Sequence, residues 1–179
     1  MNNSKIISAV RNQSEFEVAV KSNTDTVFML STNIEIIGEQ INVAHQNGKK
    51  VFVHVDLADG IGKDVYGIRY LKNLNVDGII STRTNIIKLA RQEGLFTVQR
   101  FFIVDSHSIE TSIDSALSSK ADMIEIMPGT VTKIIEKLNA MANMPPIVAG
   151  GLIETQEEIE DAIKSGATAV STGKSKFWY

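Results

Sequence analysis

The chain has 179 residues and no cysteine, a length that predicts one domain over residues 1–179 and a composition that excludes disulfides, thiolate metal sites and cysteine nucleophiles. Its apolar fraction of 43% and charged fraction of 22% are those of a globular protein, and its net charge of −3 gives no overall attraction to nucleic acid. The polar N-terminal residues resemble neither a signal peptide nor a spanning helix, so we expect a cytoplasmic protein that does not contact membranes.

Short apolar runs alternate with amphipathic stretches along the whole chain, which is typical of a parallel sheet with crossover helices. The strands predicted in the first half are Ile6–Val10, Thr26–Leu30, Val51–Leu57 and Gly78–Thr82. The helices predicted after them are Ser14–Lys21, Ile34–Gln46, Asp64–Leu74 and Asn85–Glu93. Each strand is therefore followed by one helix.

The second half of the chain repeats this rhythm. Its predicted strands are Phe96–Val104, Met123–Met127, Pro145–Gly151 and Ala167–Thr172. Its predicted helices are Ser106–Ser119, Thr130–Ala142 and a third that runs from the N-cap Thr155 to Ser165, with Glu158 completing a capping box. Eight strands predict a compact (β/α)8 TIM-type barrel with a short or missing final helix; a flavodoxin-like open sheet is the alternative.

Side-chain alternation predicts which residues of each strand face the barrel interior. In the third strand the alternation directs three valines (Val51, Val53, Val55) toward the helices and Phe52, His54 and Asp56 toward the interior. For His54 a hydrogen-bonded core position is favoured over a ligand contact. Alternation alone does not decide which of Gln99 and Arg100 faces inward.

Three charged residues stand near the ends of separate strands: Asp56, Arg83 and Glu125. We expect them to converge on the C-terminal mouth of the barrel, where barrel proteins place their sites. A buried ion-pair network that only stabilises the barrel is the alternative. The three histidines lack metal-ligand spacing, so no metal is predicted.

Glycine-rich segments end the last two strands. Gly150 and Gly151 close the seventh strand, and Thr172, Gly173 and Lys174 follow the eighth. Barrels commonly bind phosphate between these two loops, where glycine lets backbone N–H groups approach an anion. We therefore predict that these five residues bind a phosphate group. The segment is not a complete P-loop, because the upstream glycine spacing is absent.

Six segments, in order, resemble the glycerol-3-phosphate-responsive antiterminators, which regulate bacterial glycerol uptake operons. They are Val53–Ile61, Gly78–Arg83, Gln99–Ser106, Ile124–Gly129, Ala149–Ile153 and Ala169–Trp178. The resemblance implies a barrel that binds glycerol 3-phosphate as a regulatory ligand, without a cofactor, and that binds the leader mRNA of glycerol-use operons to allow read-through of a terminator. Asp56, Arg83 and Glu125 would then contact the glycerol hydroxyls.

RNA binding is implied by this resemblance and not by composition, because no RNA-recognition or KH signature is present. The resemblance favours a cationic set around the third and fourth helices as the phosphate-backbone contact: Lys63, Arg69, Lys72, Lys88 and Arg91. Ordinary helix-surface charge is the alternative. The sequence leaves open whether the chain forms a homo-oligomer.

The competing function is an enzyme, an isomerase, epimerase or lyase acting on a small phosphorylated substrate, with Asp56 and Glu125 as an acid/base pair. Against it, no inward-facing strand lysine is available for a Schiff base. A metabolite-binding regulator that acts through a protein partner is a third alternative.

Overall fold

A computed structural model describes residues 5–179 as eight parallel strands that close into a barrel. The strands are β1 (Ile6–Val10), β2 (Thr26–Met29), β3 (Lys50–His54), β4 (Gly78–Ser81), β5 (Phe96–Phe102), β6 (Met123–Met127), β7 (Ile147–Gly150) and β8 (Ala169–Thr172). Each strand pairs with the next, and β8 pairs with β1 through Ile6↔Val170 and Ser8↔Thr172. This closure confirms the predicted barrel over the open sheet.

In the described part of the chain, seven helices cover the outside of the barrel. They are α1 (Gln13–Val20), α2 (Ile37–Gln46), α3 (Val65–Asn73), α4 (Thr84–Gln92), α5 (Ser106–Ser119), α6 (Thr132–Asn139) and α7 (Gln156–Lys164). Thr155 and Glu158 form the predicted capping box of α7 through reciprocal side-chain and backbone hydrogen bonds. Within residues 5–179 no helix is both long enough and apolar enough to cross a bilayer.

The alternation predicted for the third strand is confirmed as far as His54, where β3 ends, but it does not hold for Asp56. Val51, Val53 and Val55 lie in the cluster that packs the strands against the helices. Phe52 lies inside the barrel, in a separate cluster to which six strands contribute Ile7, Phe28, Phe52, Ile80, Val98 and Val148. This apolar layer fills the lower part of the barrel, so polar interior residues lie above it, toward the mouth.

The chain departs from the predicted elements where two loops pair with each other. β3 ends at His54, and a single 3-10 turn (Val55–Leu57) follows it. Ala58–Asp59 then pairs with Thr32–Asn33 in a two-stranded ladder. The Asn33 side chain accepts hydrogen bonds from the N–H groups of Glu35 and Ile36, which holds this segment in a turn and delays the start of α2 to Ile37.

The last strand is followed by a 3-10 turn (Ser175–Phe177) in place of a final helix, as predicted. Trp178 is 1% exposed and lies in the same core cluster as Phe16 and Ala19 of α1. Its indole N–H donates to the carbonyl of Thr172 at 3.0 Å, and its own carbonyl accepts from the Asn23 N–H at 2.8 Å. Trp178 therefore covers the side of the barrel where an eighth helix is missing.

Candidate ligand-binding site at the barrel mouth

A cavity of about 400 Å³ lies at the C-terminal ends of the strands, and we call it the mouth cavity. The strands and loops from β5 to β8, together with the end of β1, supply its walls. Polar or charged lining residues are Arg11, Glu15, Arg100, Glu125, Glu154, Ser171, Thr172 and Lys174. The position is the one at which barrel proteins bind their ligands.

The floor of the mouth cavity is a buried ion pair. Arg100 Nε lies 2.6 Å from Glu125 Oε2, and the two side chains are only 5% and 1% exposed. The hydroxyl of Ser171 donates to the other carboxylate oxygen at 2.6 Å. Because the carboxylate keeps acceptor capacity toward the cavity, it can accept hydrogen bonds from ligand hydroxyls.

Register decides between the two β5 candidates. Val98 packs inside the barrel, so Arg100, two residues on, also faces inward. Gln99 points outward and donates to the Thr84 hydroxyl at 3.0 Å. Arg100 is thus a cavity residue that sequence alternation could have assigned only with the register known.

Gly150 supports this floor from the adjoining strand. A Cβ at this position would lie 2.4 Å from Glu125 Oε1 and 2.6 Å from Ser171 Oγ, both inside van der Waals contact. Any side chain here would displace the carboxylate. Gly150 lies beneath the mouth cavity and is not among its lining residues, unlike the other four predicted phosphate contacts (Gly151, Thr172, Gly173, Lys174).

Those four residues form part of the rim, and the side chains of two of them, Thr172 and Lys174, already have partners. The Thr172 hydroxyl donates to the Ile153 carbonyl at 3.0 Å and accepts from the Lys174 N–H at 3.2 Å. The Lys174 ammonium lies 2.9 Å from Glu154 Oε1. The loops are therefore held in a defined conformation around the cavity.

Arg11 is a rim residue that the sequence analysis did not single out. It follows β1 by one residue and lines the mouth cavity on the side opposite β5. Its Nη1 would lie 2.9 Å from a Cβ placed on Gly173, so the absence of a side chain at Gly173 makes room for the guanidinium. The available signal was its position just past a strand end.

Asp56 and Arg83 lie together, away from the mouth cavity. Asp56 accepts hydrogen bonds from the Thr82 N–H and hydroxyl and from the Ser81 hydroxyl, all at 2.7–2.8 Å. Burial opposes ionisation of Asp56, but these donated hydrogen bonds outweigh it and hold its pKa below the ordinary value. Arg83 Nε is 3.8 Å from Asp56 Oδ1. Of the three residues expected at the mouth, only Glu125 lines the cavity.

Asp56 lies apart from the mouth cavity because β3 ends at His54. The 3-10 turn redirects the chain and turns Asp56 toward the end of β4. His54 itself is 4% exposed, and neither of its ring nitrogens has a hydrogen-bond partner within residues 5–179. Burial, followed by the charge of Arg100, lowers its pKa to about 4, so the ring is neutral at physiological pH. The predicted hydrogen-bonded core histidine is buried but not hydrogen-bonded.

Three of the cations predicted to contact RNA form ion pairs on the barrel surface. Arg69 Nε lies 2.9 Å from Glu93 Oε1, and Lys72 reaches the same carboxylate at 3.7 Å. Arg91 lies 3.4 Å from Asp122 Oδ1 and also donates to a backbone carbonyl. The three side chains remain 38–55% exposed.

The other two cations of this set bind neutral oxygens. Lys63 donates to the carbonyls of Ala58 and Ile61 and so stabilises its own loop. Lys88 lies 3.2 Å from the Ser118 hydroxyl. The five residues therefore share one region of the barrel but not one role within it.

Fold and site together define a (β/α)8-barrel protein with a polar ligand cavity at its C-terminal mouth. The sequence model of the family described as "Glycerol-3-phosphate responsive antiterminator" matches residues 6–178. The chain belongs to this family.

Individual relatives agree with this assignment. A glycerol uptake operon antiterminator regulatory protein of Listeria monocytogenes (strain 4b F2365) is 35% identical, with a TM-score of 0.93 over 99% of this chain and 96% of its own. A glycerol uptake operon antiterminator-related protein of Thermotoga maritima is 29% identical, with a TM-score of 0.87 over 98% of each chain. The uncharacterised protein YgcP of Escherichia coli (strain K12) is 34% identical over 174 residues, which is 97% of this chain and 91% of YgcP.

Proposed function

We propose that the chain is a cytoplasmic, glycerol-3-phosphate-responsive antiterminator that binds the leader mRNA of glycerol uptake and catabolism operons and allows read-through of a terminator. Membership of the antiterminator family supports a regulatory role over the enzyme alternative. Within residues 5–179 the barrel strands contain one lysine, Lys50, at the start of β3, far from the mouth. A Schiff-base mechanism at the mouth cavity would thus have no strand lysine to use.

The mouth cavity carries the ligand part of this proposal. Its rim has the glycine-containing loops after β7 and β8, and its floor has the Arg100–Glu125 pair. A phosphate at the rim and hydroxyls at the floor would match a short phosphorylated polyol, with the Glu125 carboxylate accepting from a hydroxyl. Glycerol 3-phosphate has this arrangement of groups. Asp56 and Arg83 stay proposed contacts that would require the loop after β3 to move.

Residues on α3 and α4 and the loop before them carry the RNA part. Arg69, Lys72 and Arg91 are partly exposed, and their carboxylate partners lie at the surface of the barrel. Exposed ion pairs are worth little in water, so an RNA phosphate can replace Glu93 or Asp122 as the partner at small cost. Lys63 and Lys88 would contribute nearby phosphate contacts.

The two binding events would be linked. If glycerol 3-phosphate binds preferentially to the conformation or oligomer with higher RNA affinity, RNA must tighten glycerol 3-phosphate binding by the same factor. The loops that follow the strands include those that line the mouth cavity, and they are the segments we expect to move.

A titration of the chain with its own glycerol-operon leader RNA at fixed salt tests the proposal. The expected result is tighter binding with glycerol 3-phosphate than without it, and no such effect of glycerol or inorganic phosphate. Reversing the charges of Arg69, Lys72 and Arg91 together is expected to weaken RNA binding and leave glycerol 3-phosphate binding intact. Reversing Lys133, Lys137 and Lys164, exposed cations of α6 and α7, is the matched control.

Two results would count against the proposal. Absence of RNA binding at stoichiometric protein, with or without the metabolite, would exclude direct RNA recognition. Equal losses from the two charge-reversed triples would mean that RNA responds to net charge alone and that the α3–α4 region is not its site.

A further inference from the structure

Two cations stand at the rim of the mouth cavity, and they differ in what already neutralises them. Lys174 on the loop after β8 is paired with Glu154 at 2.9 Å. Arg11, on the loop after β1, makes no ion pair within residues 5–179. Glu15 lies nearby and lines the cavity, but its Oε2 accepts the backbone N–H of Arg11 at 2.7 Å. An incoming anion therefore finds its least compensated positive charge at Arg11.

We propose that Arg11 binds the phosphate group of glycerol 3-phosphate at the seam, the line along which β1 and β8 pair to close the barrel. This inference rests on the ligand proposed above. Strand pairing brings the two sides of this seam together, since Ser8 pairs with Thr172. Arg11 and Gly173 follow these residues on neighbouring loops. The phosphate then lies on the cavity side of both groups, in contact with the guanidinium and with the backbone of the Gly173 loop. Lys174 contributes only if its ion pair with Glu154 opens.

Gly173 sets the place of the guanidinium. A Cβ on Gly173 would lie 2.9 Å from Arg11 Nη1 and 3.5 Å from the Ala9 carbonyl. The first of these contacts is with the flexible end of a side chain, so Gly173→Ala is compatible with the fold but displaces Arg11. The backbone of Gly173 is not in the left-handed region, so alanine adds no backbone strain there. This variant separates the position of the guanidinium from its presence.

The chemistry of the two cations supports the same assignment. A guanidinium presents planar, paired N–H donors that fit two oxygens of one phosphate, whereas an ammonium acts as a point charge. Arg11 after one strand and the Gly173 backbone after its neighbour lie side by side, so both can contact one anion in the cavity. Glu125 at the floor is then left for the hydroxyl groups, and the two ends of the ligand are recognised by separate residues.

Trp178 gives a fluorescence signal from the seam. The one tryptophan in the sequence, Trp178, donates its indole N–H to the carbonyl of Thr172, the residue before Gly173. An anion held between Arg11 and the Gly173 loop changes the surroundings of this hydrogen bond. Trp178 emission is thus expected to respond to ligand binding.

The test is a calorimetric titration of the full chain with glycerol 3-phosphate and, separately, with inorganic phosphate, with Trp178 emission followed in parallel. Arg11→Ala is expected to weaken glycerol 3-phosphate about 10- to 100-fold, as for loss of a charge-assisted hydrogen bond. Lys174→Ala is expected to weaken it at most about fivefold. Arg11→Lys should fall between wild type and Arg11→Ala, and Gly173→Ala should lose affinity without a change in melting temperature. Lys133→Ala on α6 is the control for loss of one exposed cation.

The outcomes separate this inference from the function on which it rests. Equal affinity of wild type and Arg11→Ala, or a larger loss from Lys174→Ala, would overturn the assignment of Arg11. If wild type binds inorganic phosphate through Arg11 but does not bind glycerol 3-phosphate, Arg11 stands as the anion contact and the proposed ligand falls. If wild type binds neither, both fall. An affinity that Arg11→Lys fully recovers would show that Arg11 acts only as a point charge and would contradict the paired-donor geometry.

Discussion

Removing one member of the Arg100–Glu125 pair is expected to destabilise the ligand-free protein strongly. Within residues 5–179 the Glu125 carboxylate, which is 1% exposed, accepts hydrogen bonds from the Arg100 side chain and from the Ser171 hydroxyl. Arg100→Met leaves only the second of these donors. Breaking a buried ion pair on one side costs about 3–5 kcal/mol, because a charge is left buried without compensation. For a chain of this size we expect a fall in melting temperature of about 2–4 °C per kcal/mol.

The chain supplies a matched control for this measurement. Arg69 and Glu93 are joined through the same atoms, Nε and Oε, at 2.9 Å, but the Arg69 side chain is 55% exposed. Arg69→Met is expected to cost less than about 1 kcal/mol. The assay is denaturant unfolding of both variants without ligand at one pH.

A double replacement completes the design. Arg100→Met combined with Glu125→Leu removes both charges, so it should be less destabilised than Arg100→Met alone. The burial argument is refuted if Arg100→Met costs no more than Arg69→Met. It is also refuted if the double variant loses as much stability as Arg100→Met and Glu125→Leu lose together when measured singly. A stable double variant that fails to bind glycerol 3-phosphate would indicate that the pair is kept for the ligand and not for the fold.

Three further outcomes are expected. Gly150→Ala should lower the free energy of unfolding by about 1–3 kcal/mol and abolish ligand binding, because the new Cβ displaces Glu125. In the control Gly38→Ala, on α2, the nearest contact of the new Cβ is at 3.4 Å, so this variant should be neutral or slightly stabilising. Thermal unfolding and calorimetric titration measure both variants. The pKa of His54 is lowered to about 4 in the folded protein from 6.5, so the unfolded chain binds the extra proton first and stability falls by about 2–3 kcal/mol as the pH is lowered from 6.5 to 4. In His54→Gln the free energy of unfolding should depend less on pH between pH 6.5 and 4. An unchanged pH dependence would contradict the lowered pKa of His54. Trp178→Ala should cost about 3–5 kcal/mol in denaturant unfolding, and a loss below 1 kcal/mol would show that the tryptophan does not seal the barrel.

The fold was predictable because local patterns agree along the whole chain. Eight apolar strands, the first seven each followed by an amphipathic helix, favour the barrel without long-range information. The capping box at Thr155 shows how local chemistry fixed the start of a helix. The turn at Asn33 was less accessible, since it depends on pairing with Ala58–Asp59, two segments far apart in sequence.

The candidate site was predictable where it depends on strand ends and not where it depends on register. The loops at Gly151 and Thr172–Lys174 follow from barrel geometry alone. Arg100 required the register of β5, and no pattern indicates that β3 stops at His54, which leaves Asp56 outside the lining of the mouth cavity. Arg11 gave no motif, since its significance lies in its neighbour Gly173 across the seam, a contact that only closure of the barrel creates.

That closure has a consequence for how the protein is made. Residues 169–172 form the strand that pairs with both β1 and β7, so a growing chain that lacks them has two open sheet edges and an unsealed core. Open edges template pairing with other chains, so this intermediate is prone to aggregate. During synthesis the nascent protein must therefore wait, with its first strand unpaired on one side, until its last strand emerges. A metabolite that binds across this seam binds only the closed barrel, so it would stabilise the barrel at the last step of its folding.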